Sequence, residues 1–144
     1  MAPVKVSEAL PKRRRLRARA DFQKVYAEGQ RYDGRLLAAF LRRNELAEQR
    51  LGVTASTKAI GKSVDRNRAK RLLRELFRHS TADLNGLQQT YDWVLNAKRP
   101  LLVSDEEHRF REFRKIIAQV TQAERRSEDW GSSPTVREGS GSKR

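Results

Sequence analysis

The sequence contains no cysteine, and this absence excludes disulfide bonds and thiolate metal sites. Hydrophobic residues make up only 37% of the chain and aromatic residues only 7%, so the folded core must be compact. The longest apolar run, residues 36–41, is too short to cross a bilayer, and no apolar segment follows the basic N-terminal stretch as it would in a secretion signal. We therefore expect one small cytoplasmic domain that does not enter a membrane.

Positive charge, in contrast, is abundant. Lysine and arginine number 32 against 18 aspartate and glutamate residues, which gives a formal net charge of +14. Such an excess attracts polyanions, and most of the basic residues are arginines, whose planar guanidinium pairs with phosphate and stacks on bases. The composition therefore favours a nucleic acid as the partner over an anionic membrane or an acidic protein.

The first predicted helix covers residues 22–28, with Asp21 as its cap and Gly29 at its end. Phe22 and Tyr26 are spaced i and i+4, so they share one face of this helix. Two interpretations of the pair remain open, because aromatic residues at this spacing either join the core or form stacking platforms for unpaired bases.

Three strands are predicted, at residues 35–41, 50–56 and 91–97. The polar residues 42–49 between the first two strands suit a hairpin loop. Gly52 interrupts the second strand and indicates either a bulge or the close approach of another group. The overall order is helix, strand, strand, helix, strand, helix, which predicts an α+β sandwich with one β-α-β unit.

The last predicted helix opens with a capping box formed by Ser104 and Glu107. From residue 124 onward glycine, serine and mixed charges dominate, which is typical of a disordered tail. We therefore expect a flexible basic leader at residues 1–15, a folded RNA-binding domain at residues 16–123 and a disordered tail at residues 124–144.

The helix predicted at residues 65–79, with Asp65 as its cap, is the most informative segment. Residues 58–78 carry eight basic side chains against two acidic ones, and like charges are stacked at i, i+4 spacing, which costs helix stability. Binding to a phosphate backbone explains that cost better than a solvated surface does. The apolar residues of this helix share one stripe, which should pack in the core and so hold the basic side chains of the helix at fixed positions. They are Ala69, Leu72, Leu73, Leu76 and Phe77.

Catalysis by the chain alone is not indicated. No candidate nucleophile has a base partner, and no carboxylate cluster suggests a metal site. The Gly61-Lys62-Ser63 triplet matches the end of a phosphate-binding P-loop, but Ser56 stands where that motif requires glycine. The sequence therefore predicts a binding protein.

Residues 64–77, V-D-R-N-R-A-K-R-L-L-R-E-L-F, closely resemble the signature of the bacterial ribonuclease P protein family, V-x-R-N-R-x-K-R-x-x-R-E-x-F. The flanking segments agree with this resemblance. Residues 21–26, 50–58 and 91–98 resemble the opening helix of the family, the strand before its signature helix and its fourth strand. The resemblance covers about residues 16–120.

The resemblance implies a monomeric protein subunit of a ribonucleoprotein that removes the 5′ leader from precursor tRNA. The RNA subunit performs the hydrolysis with Mg²⁺, and the protein carries neither a catalytic residue nor a tightly bound metal. The side chains that would face the catalytic RNA are Arg66, Asn67, Arg68, Lys70, Arg71 and Arg74. Those that would lie at the cleft for the leader are Phe22, Tyr26 and Lys58.

The family fold is a mainly antiparallel four-stranded sheet with three helices and a left-handed β-α-β crossover, although the general rule for such crossovers is right-handed. Its first strand corresponds to residues 30–35, where the sequence signal is weak. Asn96 departs from the family because an apolar residue is usual there, and it suggests that its strand is an edge strand or is bulged.

Two other classes of protein remain as alternatives. A structural RNA-binding protein, such as a ribosomal protein, would share the charge and size but would not need an aromatic cleft beside the basic helix. A metal-dependent nuclease acting alone would require a carboxylate cluster at a cleft.

Overall fold

The computed structural model describes residues 10–129. It has an α+β architecture, as predicted, although two short helices join the three that were expected. None of the helices in this range combines the length and apolar character needed to cross a membrane. The elements are α1 (Arg19–Glu28), β1 (Gln30–Asp33), β2 (Leu37–Arg43), β3 (Arg50–Thr54), α2 (Thr57–Ile60), α3 (Ser63–Arg78), α4 (Thr81–Asn85), β4 (Tyr91–Ala97) and α5 (Glu106–Asp129), with 3-10 turns at Lys12–Arg14 and Arg99–Val103.

The four strands form one sheet in the order β1-β2-β4-β3. β2 pairs antiparallel with both β1 and β4, whereas β3 runs parallel to β4. The hairpin predicted across residues 42–49 is therefore wrong, because β4 lies between β2 and β3. Every residue of β4 except Asn96 is buried. A strand that is buried on both faces stabilises the fold most when neighbouring strands pair with it on both sides. The β3-to-β4 connection is the expected β-α-β crossover, and its hand stays a prediction.

The larger core lies on the face of the sheet that α3 and α5 cover. Trp93 of β4 is fully buried there, with its ring centroid 6.0 Å from that of Phe77 on α3 and 5.6 Å from that of Phe113 on α5. The predicted apolar stripe of α3 is confirmed, since Ala69, Leu73, Leu76 and Phe77 are buried and Leu72 packs at the margin.

The opposite face of the sheet carries a smaller core under α1. Val25 of α1 is fully buried against Val94 of β4 and Leu16, and Phe22 and Phe40 pack around them. α1 ends before Gly29, as predicted, where a side chain would not fit: a Cβ atom there would lie 2.5 Å from the carbonyl oxygen of Leu41.

Helix starts differ from the predictions by one to three residues. α1 starts at Arg19 and α3 at Ser63, and neither has a side-chain cap, so Asp21 and Asp65 lie in the first turns, where their charge favours the helix dipole. The cap of α5 is Asp105, whose carboxylate accepts a hydrogen bond of 2.9 Å from the His108 backbone N–H. This hydrogen bond, together with the one from the His108 ring, lowers the pKa of Asp105.

The predicted disorder from residue 124 is wrong for residues 124–129, because α5 continues to Asp129. The buried carboxylate of Glu124 accepts hydrogen bonds from the backbone N–H groups of Gln88 and Gln89 and from the Tyr91 hydroxyl. Burial, reinforced by that hydrogen bond, raises the pKa of Tyr91. These contacts join the end of α5 to the start of β4, and the rest of the predicted tail lies outside the described residues.

The described part of the predicted leader, residues 10–15, is ordered against β3, so the expected flexibility is wrong there. Arg15 forms an isolated parallel bridge with Leu51 of β3, and the Leu16 N–H donates to the Leu51 carbonyl at 2.8 Å. Arg13 forms an ion pair of 2.9 Å with Glu48. Residues 1–9 lie outside the described residues.

A partly buried ion pair joins β3 to β4. The Asp92 carboxylate, on a side chain that is 4% exposed, accepts two hydrogen bonds of 2.8 Å from the Arg50 guanidinium and a third, of 2.9 Å, from the Asn44 amide. Burial acts to raise the pKa of Asp92, but these hydrogen bonds outweigh it, so the pKa lies below its usual value. The pair therefore contributes stability above about pH 4, and this contribution is lost as the pH falls through the native pKa.

We expect Asp92→Asn to lower the free energy of unfolding at pH 7 by about 2–3 kcal/mol, because the Arg50 guanidinium loses its counter-charge. Urea unfolding between pH 7 and pH 2 measures this difference, which should shrink as Asp92 becomes protonated in the wild type. Asp33→Asn is the matched control. The Asp33 side chain forms ion pairs with Arg31 and Lys98 but is 53% exposed, so these pairs should contribute less than about 1 kcal/mol to the free energy of unfolding. Equal losses of stability in the two variants would contradict the stabilising role of the ion pair between Asp92 and Arg50.

Candidate nucleic-acid interface

The outward face of α3 presents polar side chains that the protein itself does not use. Asn67, Arg71 and Arg74 are exposed and Lys70 is half-buried. Among the described residues, none of these four side chains has a hydrogen-bond or ion-pair partner. Because the buried stripe of α3 is anchored in the core, the three cations are held at fixed places on the surface.

Arg66 and Arg68, also predicted to face RNA, each donate a hydrogen bond within the protein. Arg66 donates to the Gly61 carbonyl, and Arg68 donates to the Leu102 carbonyl at 3.0 Å. The Ile60 carbonyl, next to Gly61, accepts from Arg99, so this loop is held by two guanidinium groups. The sequence did not reveal either backbone partner.

The ring of Phe22 lies directly over Gly52 of β3. A Cβ atom at Gly52 would be 2.6 Å from Cζ of that ring and 3.1 Å from Cβ of Leu16. Gly52 pairs in unbroken register with Val94, so of the two predictions for this glycine the close approach is confirmed and the bulge is wrong. Phe22 is half-buried, and it serves in the small core while keeping part of its ring accessible.

Tyr26 lies one turn further along α1 and is 41% exposed. Its ring meets Phe40 edge-on at 4.9 Å, and its hydroxyl donates to Oδ1 of Asn96 at 2.9 Å. The Thr54 hydroxyl donates to the same oxygen at 2.8 Å. Asn96 is paired on both sides, with Ala38 and Thr54, so the prediction that its strand is an edge strand or is bulged is wrong.

Lys58, the third residue predicted for the cleft, is exposed on α2, which begins three residues after β3 ends. Its side chain has no polar partner among residues 10–129. The structure therefore places Lys58 after the end of the strand that carries Thr54, and no hydrogen bond joins its side chain to Tyr26.

A concavity of about 180 Å³ links the aromatic residue Phe22 to the basic helix. Lys70 and Arg74 of α3 line it together with Phe22, and Arg15 and Arg17 of the N-terminal segment complete the wall. The sequence analysis placed Arg15 in the flexible leader and Arg17 at the start of the folded domain, and it assigned neither of them to the site. The signal that could have found them is the basic run at residues 12–19, which contains no acidic residue.

Carboxylate and histidine groups do not gather in the described part of the chain. Within residues 10–129, no three side chains of His, Asp or Glu come together in a way that could hold a metal ion. What the arrangement offers chemically is a set of fixed cations beside exposed aromatic surface, which suits phosphates and unpaired bases.

Comparison with known proteins identifies the family to which the chain is similar. The family model described as Ribonuclease P matches residues 10–121. The ribonuclease P protein component of Coxiella burnetii is 34% identical over 113 residues, which cover 78% of this chain and 90% of that protein. The corresponding protein of Methylococcus capsulatus is 41% identical over 90 residues, covering 62% of this chain and 67% of that protein.

Solved structures share the fold. The RNase P protein of Thermotoga maritima superimposes with a TM-score of 0.57 at 28% identity, covering 75% of this chain and 96% of that one. The RNase P protein of Staphylococcus aureus superimposes with a TM-score of 0.62, covering 76% of this chain and 95% of that one, and at 24% identity it shows the fold alone.

We expect Gly52→Ala to destabilise the protein by about 1–3 kcal/mol, because the new methyl group must displace the Phe22 ring. In the double variant with Phe22→Ala the two losses should not add, since the smaller side chain makes room for the methyl group. Urea unfolding of the single and double variants measures this coupling.

Gly86→Ala is the control for that experiment. A Cβ atom at Gly86 would meet nothing closer than 3.4 Å, and its φ of −80° suits alanine, so its effect should stay within about 0.5 kcal/mol. Simple additivity of the Gly52 and Phe22 variants would show that the ring does not rest on the glycine.

Proposed function

The chain belongs to the ribonuclease P protein family, and from this premise we propose that it is the protein subunit of a ribonucleoprotein that removes the 5′ leader from precursor tRNA. The observation that carries the proposal is the fixed cationic face of α3 beside the aromatic surface of α1. Because a protein that only binds folded RNA needs no aromatic cleft, this pairing favours leader binding over a purely structural role.

In this proposal α3 binds the catalytic RNA. Lys70, Arg71 and Arg74 neutralise phosphates, and Asn67 donates or accepts hydrogen bonds beside them. Their lack of polar partners among residues 10–129 supports this role, because no internal ion pair has to be broken before a phosphate is bound. Arg66 and Arg68 hold backbone carbonyls with one N–H group each and turn their remaining N–H groups to the RNA.

The single-stranded leader lies across α1 and the neighbouring end of the sheet. The exposed parts of the Phe22 and Tyr26 rings stack on its bases, and Lys58 pairs with a phosphate. Stacking on each ring contributes about 1–3 kcal/mol, so a precursor should bind more tightly than mature tRNA, which lacks the leader.

The protein supplies binding, and the RNA subunit performs the hydrolysis with Mg²⁺. The donor set supports this division, because the carboxylates of the described residues that have partners accept hydrogen bonds from arginines, one lysine, an asparagine amide, backbone N–H groups, a histidine and a tyrosine hydroxyl. No cluster that could bind a metal tightly is left within residues 10–129.

Cleavage of precursor tRNA at low Mg²⁺ concentration, with bacterial ribonuclease P RNA and with or without this protein, tests the proposal. We expect strong stimulation by the protein and no cleavage by the protein alone. If the folded protein bound the RNA without stimulating cleavage, the chain would be a structural RNA-binding protein. Cleavage by the protein alone would refute the division of roles.

We expect Arg71→Ala to weaken binding to the catalytic RNA and to reduce the slope of log affinity against log salt by about 0.7–0.9, the value for one lost phosphate contact. Filter binding over about a tenfold range of salt concentration measures the slope. Arg114→Ala, an exposed arginine on α5, is the charge-matched control and should leave the slope unchanged. The same slope for Arg71→Ala and the wild type would remove Arg71 from the interface.

A further inference from the structure

Asn96 is a polar residue in the middle of the sheet, on the face that carries α1. It is flanked by Ala38 on β2 and Thr54 on β3, and the next residue of β4 on the same face, Val94, belongs to the small core under α1. Asn96 itself is only half-buried. The amide therefore lies at the point where α1 stops covering the sheet and the surface opens.

The oxygen of this amide is fully occupied. A carbonyl oxygen has two lone pairs, and at Asn96 they accept from the Tyr26 hydroxyl at 2.9 Å and the Thr54 hydroxyl at 2.8 Å. A phenol donates a hydrogen bond better than it accepts one, because its ring withdraws electron density from the oxygen. This preference sets the orientation of the amide, with its oxygen toward the two hydroxyls.

The nitrogen of the same amide is available. Its two N–H groups have no acceptor among residues 10–129, and two bonds to its oxygen prevent the side chain from turning away. The amide accepts a hydrogen bond from the hydroxyl of Tyr26, a residue that is 41% exposed. A base stacked on the Tyr26 ring would consequently lie with one edge close to the free N–H groups.

We infer that Asn96 determines base specificity in the leader by donating a hydrogen bond to a keto oxygen, O4 of uracil or O6 of guanine. Cytosine and adenine carry an amino group at the equivalent position, so two donors would face each other there. This inference rests on the proposed function, since it requires a leader base at Tyr26. It adds a preference of keto over amino bases at one leader position.

The test uses the assembled ribonucleoprotein and precursor tRNAs whose leader is randomised. Sequencing the bound and unbound fractions gives the relative affinity for each base at each leader position. We expect one position at which uracil and guanine exceed cytosine and adenine by about three- to tenfold, the effect of one hydrogen bond that is made or lost.

Two variants of Asn96 separate recognition from a structural role. Asn96→Leu should abolish the preference at that position. Asn96→Asp should reverse it, because the Tyr26 and Thr54 hydroxyls occupy one carboxylate oxygen and the other oxygen accepts from the amino group of cytosine or adenine. The added negative charge lowers the affinity for all leaders alike, so it leaves the ratio between bases unchanged.

The outcomes distinguish this inference from the proposed function. Equal affinity of the wild-type assembly for precursor and mature tRNA would refute leader binding itself. Tighter binding of the precursor with no base preference, or with a preference unchanged in Asn96→Leu, would overturn the role of Asn96 and leave leader binding intact. A wild-type preference for cytosine and adenine would overturn the donor assignment.

Discussion

The position of β4 between β2 and β3 is the constraint on which the structure depends. Because β4 is paired on both sides and buried on both faces, one helix layer must cover the face with Trp93 and another must cover the face with Val94. The first requirement places α3 and α5, and the second places α1. The basic helix and the aromatic helix are therefore positioned by the same strand, one on each side of the sheet, and they meet at the edge formed by β3.

The energies of charge repulsion and of apolar burial explain why α3 forms although like charges are stacked along it. Repulsion between like charges at i, i+4 spacing costs about 0.2–0.5 kcal/mol for each pair. Burial of each large apolar side chain on the opposite stripe, such as Leu73, Leu76 or Phe77, contributes about 1.5–3 kcal/mol. The core contacts exceed the repulsion several-fold, so the helix forms without RNA, and Lys70, Arg71 and Arg74 need no polar partners among residues 10–129.

Local patterns predicted the elements well, and contacts between distant segments account for the errors. The stripe of α3 and the end of α1 at Gly29 follow from the periodicity of 3.6 residues and from glycine chemistry. The pairing of β4 with β2 and β3 could not be read from loop composition, because it is decided by how deeply each strand is buried. Glu124 likewise looked like part of a polar tail, and only its partners in the loop before β4 reveal why it belongs to the fold.

In the candidate site, too, local patterns predicted some features, whereas contacts between distant segments determine the others. The signature segment predicted α3 and its basic residues, and Gly52 indicated a close approach, but nothing local identified Phe22 as the group that approaches it. Arg15 and Arg17 were missed because the N-terminal segment has no periodicity of its own, and its position depends on contacts with distant residues, which include backbone bonds to β3 and the ion pair between Arg13 and Glu48.

The N-terminal segment also bears on how the protein behaves at high concentration. An edge strand with unpaired backbone groups is a template for strand addition by another molecule, and β3 is such an edge. The bridge between Arg15 and Leu51 occupies part of that edge, and the neighbouring arginines surround it with positive charge. The opposite edge strand, β1, is four residues long and carries Arg31 and Asp33. Both edges are thus protected against sheet-to-sheet aggregation, by a covering segment on one side and by shortness and charge on the other.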